Sequence, residues 1–422
     1  MPKVTAALIG AGQRGARAYG PYGLEFPEEL QFTAVAELDA NRRMKFQEAH
    51  GIATENSFEQ WELLLDGPKL ADAVLICTQD KLHFEPAKRA LEQGYHVLLE
   101  KPMAVTPEEC VQLGEIAVKH DRVFAICHVL RYTEFYKQLK QLLVDGAIGQ
   151  LIAIQHTENV EHRHQAHSFV RGNWRNSESS SPMILSKSCH DMDVLLWLAD
   201  SDCTKVSSFG SLTHFRTEHA PLGAPLRCTD GCPVEHTCPY YAPKMYLERE
   251  DWAGLAIRKV VSDDMSREAV LHELRVGPYG RCVYHCDNNV VDHQVVNLEF
   301  ANEVTIAFTM CAFTMEGGRT MNLMGTGGQI RAHMEKNMIE LSNFSTGETK
   351  TIMIDAPAEG HGGGDFGIMR DFIHLVSEGG KEASLTGAKV SVQSHLMAFA
   401  AEKSRLESRV IEMEHYRLSL LG

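Results

Sequence analysis

The chain has 422 residues, 44% of them apolar and 23% charged, a balance that suits a water-soluble globular protein of about two or three domains. A net charge of −15 argues against nucleic acid or an anionic membrane as partner, and no run of about 18 apolar residues is available to span a bilayer. Eleven cysteines behind an N-terminus without a long apolar leader read as thiols or metal ligands of a cytoplasmic protein, not as disulfides.

The apolar run Val4–Ile9 reads as a buried strand, and Gly10-Ala11-Gly12-Gln13-Arg14-Gly15 follows it and opens a helix. Glu37 comes after the next apolar run, Phe32–Ala36, 22 residues beyond Gly15. Strand, glycine turn, helix and acid at this spacing predict a dinucleotide site. Gly10 makes the tight turn, Gly12 lets backbone approach a pyrophosphate, and Gly15 lets helix and strand pack closely. The helix N-terminus, with Gln13 and Arg14, faces the phosphates. Glu37 accepts from a ribose 2′-hydroxyl, which favours NAD, while Arg42 and Arg43 keep NADP open.

Further runs at Ala73–Cys77, Val97–Leu99 and Val123–Ile126 alternate with helical stretches Asn41–His50, Phe84–Gln93 and Pro107–His120. That alternation predicts an α/β fold with a doubly wound parallel sheet. The helix Glu134–Asp145 closes this first domain at about residue 148. From residue 149 strands dominate: Leu151–Thr157, Val206–Thr213, Val295–Phe300, Val304–Ala312, Thr320–Met324 and Thr351–Ile354. They predict an open, largely antiparallel sheet, accompanied by helices Asp191–Ala199, Phe366–Glu378 and Gly387–Arg405. Residues 215–291 are polar and cysteine-rich and read as an insertion with little sheet or core of its own.

Within that insertion Cys228, Cys232 and Cys238 form C-x3-C-x5-C. The spacing suits a closed structural zinc site, with Cys282 preferred as fourth ligand and Cys286 or His285 as alternatives. Residues 162–175 are rich in donors and aromatics, which suits substrate contact; His164, Arg171 and Trp174 are the candidates. His361, opening His361-Gly362-Gly363-Gly364-Asp365, is another.

Three more motifs carry a family resemblance. Glu100-Lys101-Pro102 follows the strand Val97–Leu99, Thr78–His83 follows an earlier strand, and His190-Asp191-Met192-Asp193 leads into the apolar Val194–Leu198. In this order, after the glycine turn, they resemble the glucose–fructose oxidoreductase / inositol dehydrogenase / MocA (Gfo/Idh/MocA) family. The resemblance implies an N-terminal Rossmann domain, a C-terminal α+β domain whose sheet joins subunits into a homodimer or homotetramer, and NAD(P)-dependent hydride transfer on sugars or sugar-like polyols. It extends the cofactor site to Thr78, His83, Glu100 and Lys101. Lys101 becomes the group that orients or polarises the substrate hydroxyl. His190 becomes the general acid/base, since imidazole titrates near neutral pH. Asp193, one turn on, orients it. Many relatives carry an acid four residues before this histidine, where this chain has Ser186, followed by Lys187 as a second candidate facing the substrate. A redox-neutral glycosidase or lyase with retained NAD is the alternative, since the same residues serve both schemes. A non-enzymatic cofactor-binding regulator would be expected to lack Lys101 or His190.

Overall fold

A computed structural model describes residues 2–357, 361–380 and 384–421. Two sheets organise it. The first has six parallel strands: β1 (Val4–Ile9), β2 (Leu30–Ala36), β3 (Ser57–Phe58), β4 (Ala73–Ile76), β5 (His96–Leu99) and β6 (Phe124–Ile126), in the order β3-β2-β1-β4-β5-β6. Their near-continuous apolar runs follow from helices on both faces: every residue of β4, β5 and β6 is buried. The order reverses beside β1, between β2 and β4, and doubly wound folds place ligands at such a switch point.

The second sheet has nine strands: β7 (Leu151–Asn159), β8 (Cys203–Ser211), β9 (His293–Phe300), β10 (Thr305–Cys311), β11 (Gly318–Gly325), β12 (Gly328–His333), β13 (Met338–Asn343), β14 (Thr349–Met353) and β15 (Ile411–Glu412). The order is β14-β13-β12-β11-β7-β10-β9-β8-β15, antiparallel except for the parallel pair β7 and β10. β9 and β10 alternate buried and exposed residues strictly, so one face packs on the core and the other is open. The helices Cys189–Ala199 and Ala388–Glu407 lie in contact with each other, and the second packs on β8.

The cysteine-rich stretch differs from expectation. It folds into three helices, Ala242–Leu247, Trp252–Val261 and Arg267–Val276. They enclose an apolar cluster of Phe215, Tyr240, Met245, Tyr246, Val270, Leu274, Val283 and Tyr284, which also takes in Cys228 and Cys282. Spacing such as Val270 and Leu274, one turn apart on one helix face, supplies the core that the polar composition masked. Among the described residues no helix is long and apolar enough to cross a membrane.

Candidate active site

The glycine turn leaves β1 with Gly10 at φ +93°, where a Cβ would meet the Cys77 carbonyl oxygen at 2.6 Å. A Cβ on Gly15 would collide with the Gly10 carbonyl oxygen, so helix and strand close only over glycine. Around Gly12 the space is open, with nothing within 4 Å of a Cβ. Gly12 and Gln13 line a cavity of about 700 Å3 together with Arg17, Arg42 and Lys45. Glu37, just past β2, stands beside this turn: its carboxylate accepts from the Ala11 amide at 2.7 Å and the Asp39 amide at 3.0 Å. The cradle, its cations and this acid fit a dinucleotide.

The far wall of the cavity comes from the other domain. His167, Gly172, Asn173 and Trp174 line it, as do Lys259, Ser262 and Asp263 of the cysteine-rich stretch. Arg17 and Asp263 approach to 3.9 Å across the gap. Trp174 therefore faces the glycine-turn cavity, with its indole N–H donating to Asp80 at 3.2 Å, and Ser180 and Ser181 also donate to that carboxylate.

Glu100 ends β5 fully enclosed. Burial works to raise its carboxyl, but the charges of Arg14 and Lys101 and the bonds from Arg14 and Tyr19 bring it below the usual range. Arg14 Nε donates to it at 2.5 Å and the Tyr19 hydroxyl at 2.6 Å. Arg14 also donates to Asp365 at 2.7 Å. His83 is buried between the carbonyls of Pro102, at 2.7 Å, and Thr78, at 3.1 Å. The side chains of Arg14, Glu100 and His83 thus have protein partners, through which they brace the glycine turn and the loops after β4 and β5. Thr78 likewise turns its hydroxyl to the Leu82 carbonyl, at 3.0 Å.

The Lys101–Pro102 peptide is cis, and the Lys101 ammonium donates to the Ser186 carbonyl at 2.8 Å. His190 lies in the first turn of the helix Cys189–Ala199. Burial, followed by the charges of Lys101, His128, Arg319 and His361, pushes its imidazole well below the ordinary histidine range, so the neutral ring prevails. Its Nδ1 is buried without a hydrogen-bond partner among the described residues.

The Asp193 carboxylate is bonded to Arg131 and not directly to His190. It is fully buried and takes a bidentate bond from Arg131, at 2.7 and 2.8 Å. One turn along the helix its face meets the turn Val129–Tyr132, where Arg131 waits. Lys187 pairs with Glu158 at 3.1 Å, inside a network in which Arg319 reaches Glu158 at 2.7 Å and Asp191 at 2.8 Å. His164 is drawn down to about 3 by burial and by the charges of Lys187, His167 and Lys101. His361 Nδ1 lies 3.1 Å from Asp365. The charges of Lys187 and Lys101 thus bear on His164, and those of Lys101 and His361 on His190, which puts these groups within electrostatic reach of one another near the carboxyl end of β5.

Arg171 is not there. It is fully buried, donating to the Arg281 and Tyr240 carbonyls, each at 2.7 Å, and to Cys228 Sγ at 3.5 Å. Its role as a substrate contact is corrected to that of a strut inside the cysteine-rich stretch. The zinc site is not borne out: among the described residues no group of three or more His, Cys, Asp or Glu side chains is placed to hold a metal ion. Cys228, Cys232 and Cys282 are buried, and Cys228, Cys238 and Cys282 pack with the apolar cluster as small apolar groups; all are free thiols.

Arg319, Glu158, Arg131 and Asp365 were not anticipated. One signal was present: His156 and Glu158 occupy inward positions of β7, where alternation calls for apolar residues.

A family model described as an oxidoreductase family with an NAD-binding Rossmann fold matches residues 4–128, and that family's C-terminal alpha/beta domain matches residues 140–413. The chain belongs to the Gfo/Idh/MocA oxidoreductase family, whose Rossmann domain binds NAD. YteT of Bacillus subtilis (strain 168), which bears an oxidoreductase name, is 22% identical over 92% of this chain and 92% of that protein. The D-glucoside 3-dehydrogenase of Escherichia coli (strain K12) is 30% identical over 34% of this chain and 40% of that protein. A levoglucosan dehydrogenase solved with NADH and levoglucosan shares the fold, with a TM-score of 0.72 at 19% identity, covering 97% of this chain and 99% of that one.

Proposed function

We propose that this protein is an NAD-dependent dehydrogenase of a sugar or sugar-like polyol. The observation that carries the reading is the Lys101 ammonium, held on the Ser186 carbonyl after β5, acting through its charge on the buried His190 imidazole, in a chain whose glycine turn fits a dinucleotide. Gly10, Gly12, Gln13, Gly15 and Glu37 would hold the NAD, which supplies hydride acceptance when bound.

The residues do the rest. Lys101, anchored on the Ser186 carbonyl, orients the substrate hydroxyl and favours its alkoxide character. His190, kept neutral, accepts the hydroxyl proton as the C–H bond is broken, and returns it in the reverse direction. Lys187, His164 and His361, within electrostatic reach of Lys101 and His190, would add donors that suit a polyhydroxylated ligand. Sugar-acting relatives support this substrate class. The open face of the nine-stranded sheet supports assembly into a homodimer or homotetramer.

The test is a panel of sugars, glycosides and polyols incubated with NAD, followed by NADH absorbance and product mass. NADH formed with an oxidised sugar of mass two hydrogens lower supports the reading. Product without net NADH would favour the redox-neutral scheme, and neither product nor NADH across the panel would refute both.

A further inference from the structure

His128 follows β6 and is fully buried, yet neither of its ring nitrogens has a hydrogen-bond partner among the described residues. A buried polar group without a partner is costly, so it calls for an explanation. The groups around it come from every element packed there: Glu100 and Lys101 after β5, Arg131 on its own turn, Asp193 and His190 on one helix, and His395 on another. Most are already committed. His395 accepts from the Met103 amide at 2.8 Å and gives its other nitrogen to the Ser391 carbonyl at 2.7 Å. Glu100 is taken by Arg14 and Tyr19, and Lys101 by Ser186. One other buried group nearby shares the deficit. His190 Nδ1 has no partner either, and the two rings meet edge to face with centroids 5.9 Å apart. Beyond His128, its Nε2 stands 3.9 Å from Asp193 Oδ1.

We propose that His128 is the positioning residue of His190: the Nδ1–H of His190 donates to a His128 ring nitrogen, directly or across one water, and the other His128 nitrogen turns its N–H to Asp193. This fixes the tautomer that leaves His190 Nε2 unprotonated and facing the cleft. When the substrate proton arrives on Nε2, the chain His190–His128–Asp193 takes up the charge. No proton is lost or gained along it; each N–H stays on its own ring. The carboxylate one turn beyond His190 thus reaches it through a second histidine. The inference rests on the proposed role of His190 as proton acceptor.

Two readouts separate it from that role. In protein labelled with 15N at histidine, the His190 resonances, assigned by their loss in His190→Ala, report tautomer and titration with no substrate present. The expected result is an Nδ1–H tautomer in the native protein that is lost in His128→Phe and kept in His128→Gln, whose amide oxygen can accept. In turnover, His128→Phe lowers kcat by on the order of 10–100-fold with KM nearly unchanged and moves the acid limb of the pH profile. His128→Gln recovers most of that loss. An Nε2–H tautomer in the native protein would overturn the proposal, and needs no variant to fold. So would a folded His128→Phe with native tautomer, limb position and kcat. Absence of NADH formation on every substrate would count against the dehydrogenase reading and leave the tautomer result to decide this one.

Discussion

Glu37 stands where it can choose between cofactors. Its carboxylate lies against the glycine-turn amide at Ala11, so a 2′-phosphate brought to that ribose would meet a negative charge. NAD is expected to bind at least about tenfold more tightly than NADP, a gap of roughly 1.4 kcal/mol. Calorimetry with both nucleotides measures it, and Glu37→Ser should narrow the gap while Arg42 and Lys45 remain on the cavity wall. Equal affinities in the native protein would remove Glu37 from that role. The buried histidines make a second, independent prediction. Burial holds His50 and His96 at about 4 and His164 and His395 at about 3, against an ordinary value of 6.5. Their folded values lie below the unfolded one, so the unfolded chain binds more protons as pH falls. The stability they support is complete above pH 6.5 and is lost as pH drops toward 3. The calorimetric Tm should therefore fall steadily below about pH 6.5; a flat Tm down to about pH 4 would contradict it. The residues proposed here to carry chemistry were picked out at this scale, because Lys101 and His190 sit in motifs. Which way Asp193, Arg14 and Arg171 point was not legible. A charged side chain names its chemistry, but only tertiary packing selects its partner.

The elements divide in the same way. The parallel strands β1, β2, β4, β5 and β6 were legible because burial on both faces imposes unbroken apolar runs. Strands β12 and β13 were not anticipated: Arg331 and Glu340 interrupt them, and each is held by pairing with antiparallel neighbours. The cysteine-rich stretch was misjudged because its composition suggested a loop needing a staple, whereas Val270, Leu274, Tyr246 and Val283 build a core. Arg171 braces that core. Arg171→Ala strands two buried carbonyls and should cost roughly 3 kcal/mol or more. KM for the substrate should move much less than Tm. A large KM change at unchanged Tm would restore Arg171 to the substrate site. Chelator treatment should leave Tm within about 1 °C, since these cysteines stabilise by packing; a collapse of Tm on metal removal would reinstate zinc.

At the scale of the whole molecule, the cavity at the glycine turn has walls from both parts of the chain. Lys259 and Asp263 face Gly12 and Arg17 across it, so the cysteine-rich stretch helps to shape the cavity at the glycine turn. The open sheet face carries Phe209 and Val295, exposed apolar side chains on adjacent strands of a face that would otherwise be only solvated. Val295→Lys should shift the protein toward smaller species in light scattering coupled to size exclusion, with the fold retained. A native protein already monomeric at micromolar concentration would remove the sheet face as an interface. The central claim joins the two parts at Lys101 and His190. It is tested most directly by turnover of Lys101→Ala and His190→Ala on the substrate found in the panel, with NAD affinity measured alongside. The account predicts that each variant binds NAD nearly as the native protein does and loses on the order of 10²–10⁴ in kcat. Near-native turnover in either folded variant would contradict it.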